Sequence, residues 1–144
     1  MGNHYHLVMQ IAEKGLSRGM SELNTSHAVT YNLRHGRINH LFGRRFWSEL
    51  ITTDAYLLGA CRYVVQNPVR AGLCASCDES SWSSYRATVG AAPSGPFLAT
   101  QAVLDFVAPR SREQEAVFRD FCSFVVPKRQ RLDGHAVAAT RTAV

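Results

Sequence analysis

Residues 53–70 have the sequence TDAYLLGACRYVVQNPVR, and their pattern is the clearest helical signal in the chain. Thr53 or Asp54 can cap the first turn, because short polar side chains accept hydrogen bonds from the free N–H groups there. We expect the helix to end at Pro68, since the residue before a proline avoids helical backbone angles. One face, predicted to be buried, comprises Leu57, Cys61, Val64 and Val65, and another comprises Tyr56, Ala60, Tyr63 and Asn67.

The chain before residue 53 predicts a strand followed by a helix. His4 and His6 alternate with larger side chains at positions 5, 7 and 9, which is the period of a β-strand. A helix is expected from a cap at Ser17 or Ser21 to a stop near Gly36. A loop follows it, with a short extended run at residues 47–52. The side chains whose helical spacing predicts the helix before Gly36 are Met20, Leu23, His27 and Tyr31.

After residue 70 the sequence predicts short helices and a tail. The turn-rich stretch GAAPSGP at 90–96 precedes two expected helical segments, at 100–107 and 112–125. The last residues, 127–144, are basic and then rich in alanine and threonine, and we expect them to be disordered.

Composition limits the classes of function. The chain has 144 residues, 46% of them hydrophobic, which suits one ordinary core. Its net charge of +5 favours polyanions such as nucleic acid over acidic substrates. The first residues lack the pattern of a signal peptide, so we expect a cytoplasmic protein with four free thiols. No apolar run approaches the length of a membrane span.

His4 and His6 are the first candidate metal ligands. Residues two apart on a strand point the same way, roughly 6–7 Å apart, so both imidazoles can bind one metal ion. For an isolated His-x-His triplet the favoured alternative is two histidines on the wet face of an edge strand.

Tyr63 and Asn67 lie one helical turn apart, so a phenol and an amide oxygen can reach one site. Taken singly, a helical tyrosine usually packs its ring and leaves the hydroxyl at the surface. Together with the two histidines, however, these residues suit phosphoryl transfer. A cation on the imidazoles and the amide would polarise a phosphate while the phenol attacks it and becomes covalently attached.

Two further groups remain open to two interpretations. The segment 34–47 mixes arginines with Phe42, Phe46 and Trp47, which suits single-strand binding, although these rings also suit a core surrounded by solvated arginines. Cys74 and Cys77 have the spacing of half a zinc knuckle, but no second pair matches it. Core packing is the alternative for Cys61 and Cys122.

Three blocks in this order resemble the REP-associated tyrosine transposases, a branch of the single-tyrosine HUH transposases. They are NHYHLV at 3–8, HGRINHLFGRRFWSELITTDAYLLGACRYVVQNPVRAGL at 35–73 and WSSYRATVG at 82–90. The resemblance covers roughly residues 2 to 90, and the blocks are specific in combination. Asn39 departs from the family's usual glycine, and Gly2 departs from its proline.

The resemblance implies roles for individual residues. His4 and His6 match the metal-binding histidines, Asn67 the third, amide-type ligand, and Tyr63 the catalytic tyrosine, whereas Tyr56 matches a non-catalytic aromatic. Mg²⁺ or Mn²⁺ is the implied cofactor. The implied reaction cuts single-stranded or hairpin DNA, leaving a 5′-phosphotyrosine and a free 3′-hydroxyl, and then rejoins the strand. The expected DNA-binding residues are Arg34, Arg37, His40, Arg44, Arg45 and Arg70.

The implied fold is α+β. Family members have roughly fifty to sixty residues before the histidine strand, so we expect a ferredoxin-like domain lacking its first strands and helix, with C-terminal helices. The expected regions are a partial transposase domain at 1–90, a helical extension at 91–126 and the tail at 127–144. We expect a monomer or homodimer. A catalytically inactive DNA-binding remnant is the alternative function.

Overall fold

The computed structural model describes residues 3–11, 15–109 and 112–123. More than half of these residues are helical. In chain order the helices are α1 (Leu16–His35), α2 (Asp54–Arg70), α3 (Tyr85–Thr88), α4 (Thr100–Val107) and α5 (Gln114–Ser123), with a 3₁₀ turn at Cys77–Glu79.

The expected α+β, ferredoxin-like fold is wrong. The described ranges contain no strand and no sheet, only isolated bridge residues at Gln10 and Leu50. The predicted strand at residues 4–9 and the extended run at 47–52 have no regular structure. Alternation of side chains is not enough to make a strand, because a strand also needs a neighbour that pairs with its backbone. Instead, Val8 packs its side chain against Ile51 and Ala60.

Helix α1 ends where the sequence predicted and begins elsewhere. Gly36 adopts the left-handed conformation, with φ 61°, and its N–H bonds to the carbonyl of Asn32, which stops the helix. At the other end, α1 starts directly after Gly15 without a side-chain cap, so the predicted serine cap is wrong. The Ser17 hydroxyl instead accepts a hydrogen bond from Arg45 at 2.9 Å.

Helix α2 begins as predicted and continues past its proline. The Thr53 hydroxyl accepts a hydrogen bond from the Tyr56 N–H at 3.2 Å. The predicted end at Pro68 is wrong, because the helix extends to Arg70. A proline so near the end of a helix removes one backbone donor without unwinding the final turn. That turn closes through the Ala71 N–H, which donates to the Asn67 carbonyl at 2.9 Å.

The main core joins α2 to the four later helical segments. Its buried members are Val65, Cys77, Tyr85, Val89, Leu104, Phe118 and Cys122. The buried Gln66 side chain donates a hydrogen bond to the Cys122 carbonyl at 2.7 Å, which ties α2 to α5. The predicted bounds of α4 are confirmed, and α5 starts at Gln114, two residues after the predicted start. Residues 124 and 125 of that segment, and the whole tail at 127–144, lie outside the described residues.

None of the helices in the described ranges is both long and apolar enough to cross a membrane. The division into regions at residues 90 and 126 stays a prediction, although residues from α4 and α5 share the core of α2.

Candidate functional site

The structure brings His4, His6 and Tyr63 together. The ring of His6 lies against the ring of Tyr63, with centroids 5.2 Å apart and planes at 79°. The rings of His4 and His6 are 5.0 Å apart at 84°. The histidine segment therefore lies beside α2, with His6 against Tyr63 and His4 against His6, although it does not form the predicted strand.

Helix α2 adds two more of the predicted site residues. Asn67 follows Tyr63 by one turn and is 8% exposed. Arg70 follows by one further turn, and its guanidinium carbon lies 5.1 Å from the centre of the Tyr63 ring. Because residues four and seven positions apart share a helix face, Tyr63, Asn67 and Arg70 lie on one face of α2, which His6 contacts at Tyr63.

The distance between the two histidine rings is compatible with binding to one metal ion. With metal–nitrogen distances of about 2.0–2.1 Å, two imidazoles on one ion have ring centres roughly 4.5–5.5 Å apart, and the observed separation of 5.0 Å falls in this range. His4 Nδ1 donates to the Asn3 side-chain oxygen at 2.7 Å, which orients the ring and leaves Nε2 as the ligating atom.

The third ligand would have to be the amide of Asn67. Within the part of the chain that the structure describes, no group of three or more His, Cys, Asp or Glu side chains can hold a metal ion. Imidazoles are common ligands of first-row transition metals, and an amide oxygen and water are ligands that Mg²⁺ and Mn²⁺ accept. This set of donors can therefore hold a divalent cation, and the choice of Mg²⁺ or Mn²⁺ rests on the resemblance.

The predicted DNA-binding residues lie in three places. Arg70 lies at Tyr63, whereas His40, Arg44 and Arg45 line a groove of about 610 Å³ between α1 and residues 38–46. Among the residues that the structure describes, none that lines this groove is acidic. Arg34 and Arg37 are exposed near the C-terminal end of α1. The groove walls also include Met20, Asn24, Ala28, Asn32, Phe42 and Phe46.

Tyr56 is set apart from Tyr63 by its surroundings. It packs against the small cluster of Ile51 and Ala60. Burial first, and then the neighbouring Glu49 carboxylate, raise the pKa of Tyr56 to about 12. Its phenol is therefore harder to ionise than that of an ordinary tyrosine.

Cys61, Cys77 and Cys122 are buried, whereas Cys74 is half-buried. Cys77 belongs to the main core, and its thiol donates to the Val65 carbonyl at 3.5 Å. Burial raises the pKa of Cys77, and it raises the pKa of Cys122 to about 12. Among the described residues, Cys74 and Cys77 have no third metal-ligating side chain beside them, so a complete zinc knuckle is not formed there.

One feature of α1 was not singled out from the sequence. His27, Tyr31 and His35 lie four residues apart, and their rings follow one another along the helix surface. The sequence does contain a signal for this feature, because the spacing of the three residues places their rings on one face of a helix.

No protein-family model, no curated protein and no solved structure matches this chain. Roles for its residues are therefore assigned from the side chains that meet at Tyr63 and from the sequence blocks that contain them.

Proposed function

We propose that this chain cuts and rejoins single-stranded or hairpin DNA as a transposase, with Tyr63 as the nucleophile. The observation that supports this most directly is the contact of His6 with Tyr63, at 5.2 Å between ring centres. The two residues are distant in sequence, and the sequence predicts both as site residues. His4 and Arg70 complete the group, on the His6 and Tyr63 rings respectively.

In the proposed reaction the Tyr63 oxygen attacks the scissile phosphorus. A bond forms between the tyrosine oxygen and phosphorus, and the bond from phosphorus to the 3′-oxygen breaks. The phenol proton passes to water, and the departing 3′-oxygen takes up a proton to become a hydroxyl. Attack of a 3′-hydroxyl on the phosphotyrosine then reverses the step, so the strand is rejoined and Tyr63 is regenerated.

His4, His6 and Asn67 would hold the cation, Mg²⁺ or Mn²⁺. When bound, this cation neutralises charge that develops on the phosphate oxygens. Asn3 holds the ring of His4 in a fixed orientation. The Arg70 guanidinium, placed over the Tyr63 ring, can donate hydrogen bonds to the phosphate and stabilise the phenolate as the proton leaves.

The basic residues would position the DNA strand. Arg34, Arg37 and Arg44 are exposed and form no ion pair with any residue that the structure describes. Their charge is therefore available to phosphates. For this role on DNA we propose a cytoplasmic protein that acts as a monomer or a homodimer.

The test is formation of a covalent protein–DNA adduct. The purified full chain is incubated with labelled hairpin DNA and Mn²⁺, and a labelled band is sought after denaturation. We expect an adduct with wild type and none with Tyr63→Phe. Tyr56→Phe is the matched control, because it removes a hydroxyl from the same helix and should leave the adduct intact. No adduct with wild type, or one that persists in Tyr63→Phe, would refute the assignment.

A non-catalytic DNA-binding protein is the second candidate. Arginines near the groove that form no ion pair with a described residue favour this candidate. Such cations can bind phosphates whether or not the chain cuts DNA. It predicts binding that weakens steeply with salt, persists in Tyr63→Phe and gives no adduct with either protein. The adduct experiment therefore separates the two candidates.

A further inference from the structure

A continuous series of aromatic rings runs along α1. The ring centres of Tyr31 and His35 are 4.3 Å apart, and those of His27 and Tyr31 are 6.2 Å apart, with both pairs tilted by 35°. Phe42 continues the series, with its ring 6.1 Å from His27 and 6.2 Å from Tyr5. Tyr5 is the sequence neighbour of His4 and His6, and its hydroxyl donates a hydrogen bond to the Asn24 side chain of α1.

The rings on α1 are accessible and surrounded by positive charge. His27 and His35 are exposed, and Tyr31 is half-buried. The Arg37 guanidinium lies 5.9 Å from the centre of the Tyr31 ring. Arg34 is exposed on the same turn as His35, and no acidic side chain of the described residues forms an ion pair with either arginine. This combination suits a single strand of nucleic acid, because the rings can stack on its bases and the arginines can bind its phosphates.

The spacing along the helix also suits a nucleic-acid strand. Residues four apart on a helix are separated by about 6 Å along its axis, whereas stacked nucleotides advance about 3.4 Å each. One step of the series therefore spans roughly two nucleotides. Histidine and tyrosine rings are common stacking partners for unpaired bases, and such stacking tolerates any base.

We infer that His27, Tyr31 and His35 form a stacking track that binds the bases of single-stranded DNA. This inference rests on the proposed function for the identity of the strand. The rings of the track stack on the faces of unpaired bases, whereas Arg34 and Arg37 bind the phosphates between those bases. It would therefore hold a single strand in place without strong sequence preference.

The test compares two oligonucleotides that differ only in their bases. Binding of the full chain to a fluorescent 15-nucleotide oligo-dT and to an abasic strand of equal length is measured by anisotropy, with a chelator present so that no cleavage occurs. We expect the wild type to bind oligo-dT more tightly. Tyr31→Ala should reduce this preference about fivefold or more, and Tyr31→Phe should retain it, since the ring is kept.

Leu33→Ala is the matched control. Leu33 is 80% exposed on α1 and faces away from Tyr31, so its removal should leave the preference unchanged. Alanine is a strong helix former, so loss of binding in Tyr31→Ala would not come from loss of the helix, which circular dichroism checks. Equal binding of both strands by wild type, or a full preference in Tyr31→Ala, would refute the track. A preference that depends on Tyr31 without any adduct in the hairpin experiment would refute the proposed cleavage and leave the track standing.

Discussion

At the scale of single residues, two arginines of α2 have similar geometry and different neighbours. The Arg70 guanidinium lies 5.1 Å from the ring centre of Tyr63, and that of Arg62 lies 4.8 Å from the ring centre of Phe121. Both contacts are cation–π interactions. Of the two rings, only that of Tyr63 has an oxygen that can gain negative charge, so under the proposed function only Arg70 would have a chemical role beyond packing.

Arg70→Gln should lower the rate of adduct formation about 100-fold, because one charged donor to the reacting phosphate is lost. Arg62→Gln should leave that rate within about threefold of wild type, since a surface cation–π contact contributes only about 0.5–1 kcal/mol and no reacting group is involved. Single-turnover kinetics with labelled hairpin DNA measure both rates. Equal losses in the two variants would assign Arg70 a structural role instead.

More of the proposed site than of the fold could be predicted from the sequence. Helical spacing predicts that Tyr63 and Asn67 share a face, and that conclusion needs only local geometry. The contact of His6 with Tyr63 depends on how two distant segments pack, so the residues alone could only suggest it as a chemically sensible combination. The ring series on α1 was visible in the spacing of His27, Tyr31 and His35 but has no sequence motif to mark it.

At the scale of elements, the N-terminus of α2 depends on one side chain. The Thr53 hydroxyl accepts a hydrogen bond from the Tyr56 N–H, and the helix it caps contains Tyr63, Asn67 and Arg70. We expect Thr53→Ala to lower the free energy of unfolding by about 1 kcal/mol, as is typical for loss of a cap. Thr52→Ala is the control, because Thr52 is exposed and precedes the cap. Urea unfolding followed by circular dichroism measures both variants, and equal stability of the two would contradict the capping role.

The end of a helix could be predicted from the sequence where a single residue determines it. Gly36 and Thr53 each fix a boundary through their own backbone angle or side chain, and both predictions are confirmed. Pro68 was a poorer guide, because a proline blocks a helix only where the bond it removes is needed. The strand predicted at residues 4–9 failed because its formation depends on a partner strand, which a local alternation of side chains does not supply.

At the scale of the whole molecule, the core contains ionisable groups that burial keeps neutral. Burial raises the pKa of Cys61 to about 11 and that of Cys122 to about 12. Cys61 is on α2 and Cys122 on α5, which also meet through the hydrogen bond from Gln66 to the Cys122 carbonyl. Ionising either thiol would place a charge where helices pack, so the packing and the protonation of the core are coupled.

The protein should therefore lose stability at alkaline pH. Below about pH 8.5 these thiols are protonated in both states, so they add no pH dependence. Above it the unfolded chain releases the protons and the folded chain keeps them, so unfolding is favoured as pH rises toward 11. Each thiol contributes about 1.4 kcal/mol per pH unit in this window, and the two together about 2–3 kcal/mol between pH 9 and 10.

Urea unfolding at pH 7, 9 and 10 measures this slope. The double variant Cys61→Ala and Cys122→Ala separates the thiols from other alkaline effects, such as ionisation of tyrosines. It should be less stable than wild type at pH 7, because two packed sulfur atoms are lost from the core, yet its stability should fall less between pH 9 and 10. If wild type and double variant lose the same free energy over that interval, the coupling lies elsewhere in the molecule, because only the thiols differ between the two proteins.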